Sequence, residues 1–187
     1  EALWTLFLPT VNKVKSWIEE DRIGKVKLIT ASFGLKSEFN INHRLYNPDL
    51  AGGALLDLGI YTILFANHIA DSYPKEIKAS AEFTQTNVDE SDIINLKYED
   101  GILASLKCSL VAKFDNAAVI YGEKGKIVVP RFWASKEAYL YTEDNAEKYI
   151  DDYEEAGYKY EIEEANKCIE NNKLESNIAS HKITLQL

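Results

Sequence analysis

The chain has 187 residues, 46% hydrophobic and 27% charged, with a formal net charge of −9, which bounds it to one ordinary globular domain with a sizeable core. The excess of acid removes the basic footprint that a phosphate backbone or an anionic membrane surface requires, so neither nucleic acid nor membrane is expected as a partner. No uninterrupted apolar run approaches the roughly 18 residues that cross a bilayer, and Cys108 and Cys168 form no CxxC; two reduced thiols in a cytoplasmic protein are expected, with no disulfide framework and no zinc site.

Pro9 to Glu20 reads as a helix, with Pro9 in the first turn and Val11, Val14, Trp17 and Ile18 forming one apolar stripe. Gly24 ends it, and Lys25 to Phe33 follows as a strand. Gly34 to Leu50 has no clean period and reads as a long loop. Gly52-Gly53 opens a second helix, Ala54 to about Ala70, apolar on nearly all sides and so expected to be buried. From Glu76 to Tyr141 the period changes to two. Glu76–Thr86 places Ile77, Ala79, Ala81 and Phe83 on one face. Asp92–Tyr98 and Ile102–Leu110 meet at an Asp-Gly hairpin signal, Asp100-Gly101. Ala117–Tyr121 and Lys126–Val129 meet at Gly122-Glu-Lys-Gly125, and Ala138–Thr142 is a further strand. The acidic run Glu143 to Glu155 reads as a solvated connection. Tyr158 to Asn171 is a helix, and Ile178 to Leu187 begins another.

Helices at the ends and strands in the middle predict an α+β fold, one mostly antiparallel open sheet with helices packed on one face. The opposite face reads as small polar residues and Lys, either solvated or meeting another subunit. The chain opens at Glu1 without a Met, contains none, and closes on an amphipathic run with no stop signal. Both ends read as cuts, so a part of a longer protein is expected.

The stretch Gly52-Gly53-Ala54-Leu55-Leu56-Asp57-Leu58-Gly59-Ile60-Tyr61 is the most informative. Asp57 is ionisable in an apolar run, and its burial requires compensation. Tyr61, four residues on, shares its helix face. A carboxylate that orients a phenol is an acid/base pair; a helix-end Asp favoured by the dipole beside a core Tyr is the other reading. His43, His68 and His181 show no metal-ligand spacing. His68, seven residues after Tyr61, reads as a structural helix-end histidine or a site residue. Gly122-x-x-Gly125-Lys126 lacks the spacing of a phosphate-binding loop and reads as a hairpin turn.

The string GGALLDLGIY resembles the signature helix of the Gfo/Idh/MocA oxidoreductase family. Tyr four residues after the Asp is similar to the dihydrodiol dehydrogenase, glucose–fructose oxidoreductase and xylose dehydrogenase branch; the inositol dehydrogenase branch has His there. Glu1-Ala2-Leu3-Trp4-Thr5 with Phe7-Leu8-Pro9 resembles the EAMWTRFLP stretch that opens the family's C-terminal domain. Arg44-Leu45-Tyr46-Asn47-Pro48 resembles its R-L-F-x-P loop. Gly122-Glu-Lys-Gly125, Phe132-Trp133, Gly157-Tyr158-Lys159-Tyr160-Glu161 and Glu175-Ser176 resemble later landmarks, so the likeness covers essentially the whole chain.

The resemblance implies a dihydrodipicolinate-reductase-like C-terminal domain over residues 1–187, which binds substrate and forms oligomers, with the N-terminal Rossmann domain absent. It implies a parent enzyme that moves hydride between NAD or NADP and a sugar, polyol or cyclic diol, and a fragment inactive alone. Tyr61 matches the family's proton-exchanging tyrosine and Asp57 its partner carboxylate. Trp4, Phe33 and Trp133 match pocket aromatics, with core packing as the alternative, and Arg44 could meet a polar or anionic substrate, with a solvated or salt-bridged arginine as the alternative. The family's Glu-Lys-Pro lysine and pyrophosphate-binding turn would lie upstream of Glu1. Leu6 stands where dihydrodiol dehydrogenases have Arg. Association of two copies through the open sheet face is also implied; a non-catalytic assembly module using that face is the alternative function.

Overall fold

The computed structural model describes residues 3–152 and 157–187; Glu1-Ala2 of the opening motif and Glu154-Glu155 of the acidic run lie outside them. Alternation builds the sheet. In β1 (Val26–Gly34) Ile29 and Ala31 are buried against the helices while Leu28 and Thr30 point to the opposite face. β2 (Glu76–Phe83), β3 (Asp89–Lys97) and β4 (Leu103–Ser109) form an antiparallel meander that brings β4 alongside β1, parallel to it. On the other side of β1 run β5 (Ala117–Gly122), β6 (Gly125–Pro130), β7 (Glu137–Thr142) and β8 (Ala146–Ile150), all antiparallel. The order is β2-β3-β4-β1-β5-β6-β7-β8. The Asp100-Gly101 turn closes the β3–β4 hairpin, with Gly101 at φ +90°.

Helices α1 (Pro9–Glu19) and α2 (Ile60–Ala70) lie on one face. Val11, Val14 and Trp17 of α1 and Phe65, Ala66 and Ile69 of α2 join Ile94, Leu106, Ile120, Ile127 and Leu140 in one core. Tyr98 donates to Asn67 at 2.8 Å, fastening the β3–β4 end to α2. Helix α3 (Tyr158–Glu170) contacts the 3-10 turn Trp4–Phe7, and α4 (His181–Gln186) closes the described chain. The expected α+β fold is the one adopted.

Four expectations change in detail. The Glu143–Glu155 run is not all connection: Ala146–Ile150 is β8, an edge strand whose polar residues are tolerated because its outer side is solvated. The open sheet face is not merely small and polar. Alternation puts Leu28, Ile93, Leu103, Val119, Tyr121, Val128, Tyr139 and Tyr141 there, interleaved with Lys97, Lys107 and Lys126. The face expected on β2 is exposed throughout, because the helices do not extend over this edge strand. Finally, Pro48–Ala70 is long and apolar enough, by length and composition, to cross a membrane. Here it is a core element broken by turns, with Leu58, Leu64, Phe65, Ala66 and Ile69 buried on the domain, which accounts for its hydropathy.

Candidate active site

The second helix begins irregularly. Leu55–Gly59 is a π-helical turn, with the Ile60 amide bonding back to the Leu55 carbonyl, and regular α2 starts at Ile60. π-turns inside helices often mark functional positions. The turn buries Leu58 and Gly59, while Leu55 and Leu56 are exposed rather than buried as the apolar run suggested.

Tyr61, in the first turn of α2, sits where four segments converge. Trp4 comes from the Trp4–Phe7 turn, Phe33 from the end of β1, and Trp133 from the 3-10 turn Phe132–Ala134 after β6. Trp4 Nε1 donates to Tyr61 Oη at 3.2 Å. The Phe33 ring meets Tyr61 edge-on at 5.8 Å and stacks on Trp133 at 3.6 Å with planes 13° apart. Thr5, fully buried, donates to the Trp133 carbonyl at 2.9 Å and ties the two turns together. The structure therefore gathers Tyr61, Trp4, Phe33 and Trp133 into one aromatic cup.

Asp57 and Arg44 form a second group. Arg44 Nη1 bonds Asp57 Oδ1 at 2.5 Å; the Asp57 side chain is 21% exposed and that of Arg44 63%. The compensation that the apolar run demanded thus comes from the long loop. A pair this accessible contributes at most about 1 kcal/mol, so Arg44 can exchange Asp57 for another anion or polar group at little cost.

Tyr158 escaped the sequence assignment as a site residue. Its ring lies 4.6 Å from Trp4 at the start of α3. The signal was the preceding Gly157: a Cβ there would stand 2.5 Å from Leu8 Cδ2 and 2.8 Å from Trp4 Cζ3, so the glycine is what lets α3 lie against the Trp4 turn.

His68 is placed elsewhere. With Leu6, Asn67 and Ile183 it lines a separate cavity of about 160 Å³. Leu6 belongs to this second place, not to the cup. Burial pushes the His68 imidazole down to about 4, Lys15 adding to the effect and Asp71 opposing it. Its Nε2 is buried with no hydrogen-bond partner among the described residues. The folded state holds it neutral, so its contribution is complete above the ordinary histidine range and is lost as pH falls toward 4. Between pH 7 and 4 the stability difference between wild type and His68→Leu should change by about 3 kcal/mol against wild type. Urea unfolding of both proteins across that range measures it; a constant difference contradicts the assignment.

Among the described residues no group of three or more His, Cys, Asp or Glu side chains is placed to hold a metal ion. The GFO/IDH/MocA C-terminal domain model matches residues 11–128. Trans-1,2-dihydrobenzene-1,2-diol dehydrogenase of Danio rerio is 32% identical over 189 residues, covering 97% of this chain and 56% of that protein. The Mus musculus enzyme of the same name is 32% identical over 140 residues, covering 73% of this chain and 41% of that protein. In fold, the chain is similar to an aldose-aldose oxidoreductase from Caulobacter crescentus complexed with glycerol (TM-score 0.80, 16% identity, 91% of this chain and 53% of that one). It is likewise similar to a 3-ketoreductase from Actinomadura kijaniata in complex with NADP and TDP-benzene (TM-score 0.78, 20% identity, 90% of this chain and 53% of that one). The chain spans about half the length of the relatives it matches. From the matched model and these relatives, the chain belongs to the Gfo/Idh/MocA family as a C-terminal domain of the dihydrodiol dehydrogenase branch.

Proposed function

We propose that this chain is the substrate-side domain of an NAD(P)-dependent oxidoreductase that moves hydride between nicotinamide and a hydroxyl or carbonyl of a sugar, polyol or cyclic diol. Tyr61 is its proton donor and acceptor. The observation that carries this reading is the Trp4–Tyr61 hydrogen bond within the aromatic cup. An indole N–H only donates, so the tyrosine oxygen accepts here and its own proton is not used in that bond. In the reducing direction Tyr61 gives this proton to the substrate oxygen, and the Trp4 N–H steadies the phenolate that results. Oxidation runs the same transfer backwards. Phe33 and Trp133, already stacked, offer the flat apolar wall that a small ring or sugar face needs. Arg44, held by Asp57, is the cation this reading offers to a polar or anionic substrate group.

Nicotinamide, when bound, would supply or accept the hydride. The start of the second helix does not fit a pyrophosphate. The Leu55 amide already donates to Asp89 Oδ2 at 2.5 Å, so an anion of this chain occupies that helix end. We therefore assign the nucleotide to a Rossmann half upstream of Glu1, and regard this chain alone as inactive. The relatives, about twice as long, support that division. Supplying the full reading frame with NAD or NADP and a panel of aldoses, polyols and trans-diols tests the function. Substrate-dependent change of nicotinamide absorbance is expected, and its absence across the panel, in both directions, sinks the reading.

The exposed apolar open face favours a second role, self-association of two copies, either beside catalysis or as the sole task of an assembly module. Ile93 and Leu103, both exposed on that face, would then be buried between copies. Changing both to Asp should convert a dimer to a monomer in sedimentation velocity without unfolding either strand. A wild-type chain monomeric at high concentration contradicts the association.

A further inference from the structure

The glycines of the signature stretch have a use of their own. Gly53 sits at φ +124°, and a Cβ there would overlap Asp89 Oδ1. A Cβ on Gly59 would stand 3.0 Å from Cys108 Sγ. The two glycines bracket the π-turn, and each lets its backbone touch the same small network on β3 and β4. Within that network Cys108 Sγ donates to Asp92 Oδ2 at 3.1 Å, deep in the protein. Asp89 begins the same strand as Asp92, and its Oδ2 accepts from the Leu55 amide at 2.5 Å. The result is two hydrogen-bonded contacts, one joining β4 to β3 and one joining β3 to the first amide of the π-turn.

Asp89 caps the helix start through the Leu55 amide. Asp92 is 7% exposed, and among the described residues the weak Cys108 thiol is the donor to its carboxyl, so its burial favours the neutral form. We infer that Asp89, Asp92 and Cys108 are positioning residues: a dock that fixes the π-turn Leu55–Gly59 and thereby sets where Asp57 and Tyr61 stand.

Burial pushes Asp92 up to about 6, with the Cys108 hydrogen bond opposing and Asp89 adding to the rise. The same burial and the Asp92 hydrogen bond push the Cys108 thiol up, so it stays protonated as the donor. The groups that face Asp92 are Asp89 on its own strand and Cys108 across β4; its register partner on β2 is Ala81. From the π-turn side come Gly53 and Leu55, which do not titrate, while Asp57 is paired with Arg44. The sign follows: an acid with a raised value stabilises the fold in its neutral form. The dock is complete at low pH and loosens as pH rises through about 6.

The consequence for catalysis rests on the proposed role of Tyr61, but the test uses neither cofactor nor substrate, so the two ideas fail separately. Amide exchange of the 53–59 segment in this chain is followed between about pH 5 and pH 8 and corrected for intrinsic pH dependence, with the β5–β6 hairpin as the control for global unfolding. In wild type, protection of the segment should fall about tenfold across that range while the control stays fixed. Asp92→Asn, which keeps a neutral donor, should abolish the pH dependence. Asp89→Asn should lose protection at every pH. A wild-type pH dependence in Asp92→Asn, or wild-type protection in Asp89→Asn, overturns the dock. Should either variant unfold, the carboxyl carbon of Asp92 in the wild-type protein decides by NMR. A titration midpoint well above that of an ordinary Asp supports the dock, and an ordinary midpoint overturns it.

Discussion

Tyr61→Phe in the proposed oxidoreductase should lower kcat/KM by roughly 10²–10⁴-fold, the usual contribution of a positioned acid or base. The substitution removes one oxygen and keeps the ring, so the edge-on contact with Phe33 at 5.8 Å survives. Substrate affinity should therefore change little, and the loss should fall on kcat. The limb of the pH–rate profile that belongs to the phenol should vanish with it. A smaller structural cost is also expected. Trp4 is 7% exposed and its indole N–H loses its acceptor, which destabilises by about 1–3 kcal/mol. Denaturation of the variant separates this cost from the kinetic one. An activity loss below about threefold would remove Tyr61 from the chemistry.

The largest stability loss is expected at Trp17→Ala, about 3–5 kcal/mol. Trp17 is fully buried at the centre of the contact between α1 and the sheet. Its indole also donates to Glu147 Oε1 at 3.0 Å, while Arg22 bonds the other oxygen of that carboxylate at 2.8 Å. The Arg22 hydrogen bond holds Glu147 below the usual carboxylate range. Losing the indole therefore opens a cavity and frees β8 on its inner side. Urea denaturation should show the loss, with increased amide exchange in β8. A change under about 1 kcal/mol would mean that the core collapses around the gap.

Trp17 also explains why β8 was hidden in the sequence. Ala146-Glu-Lys-Tyr-Ile150 has no apolar alternation of its own; what holds it is pairing with β7 and a side-chain bond to a helix near the other end of the chain. The order of strands was hidden for the same reason. β1 is flanked by β4 and β5, and its parallel pairing with β4 follows from the meander before it, not from any residue of β1. What local pattern could reveal, it did: the α1 stripe, the Asp-Gly hairpin and the two-residue period all recur in the fold.

The site divides similarly. The four cup residues were identified from motif resemblance, and the structure brings them within ring contact or hydrogen-bond reach. The partner given to Asp57 came from helical spacing to Tyr61. The structure shows that carboxylate bonded to Arg44, across a loop with no period to read. Spacing also assumed a regular helix, whereas Leu55–Gly59 is a π-turn set on Asp89 and Cys108. The double glycine is the place where the Asp89 carboxylate meets the start of the helix.

The most direct test of the account is one distance, read from a crystal structure of the full-length protein with oxidised nicotinamide and an unreactive polyol or diol analogue. The account predicts that Tyr61 Oη lies within hydrogen-bond reach, about 2.6–3.2 Å, of the oxygen that would exchange its proton, inside the cup of Trp4, Phe33 and Trp133. An analogue bound elsewhere, or held with that oxygen beyond about 5 Å from Tyr61 and no bridging water, would contradict it.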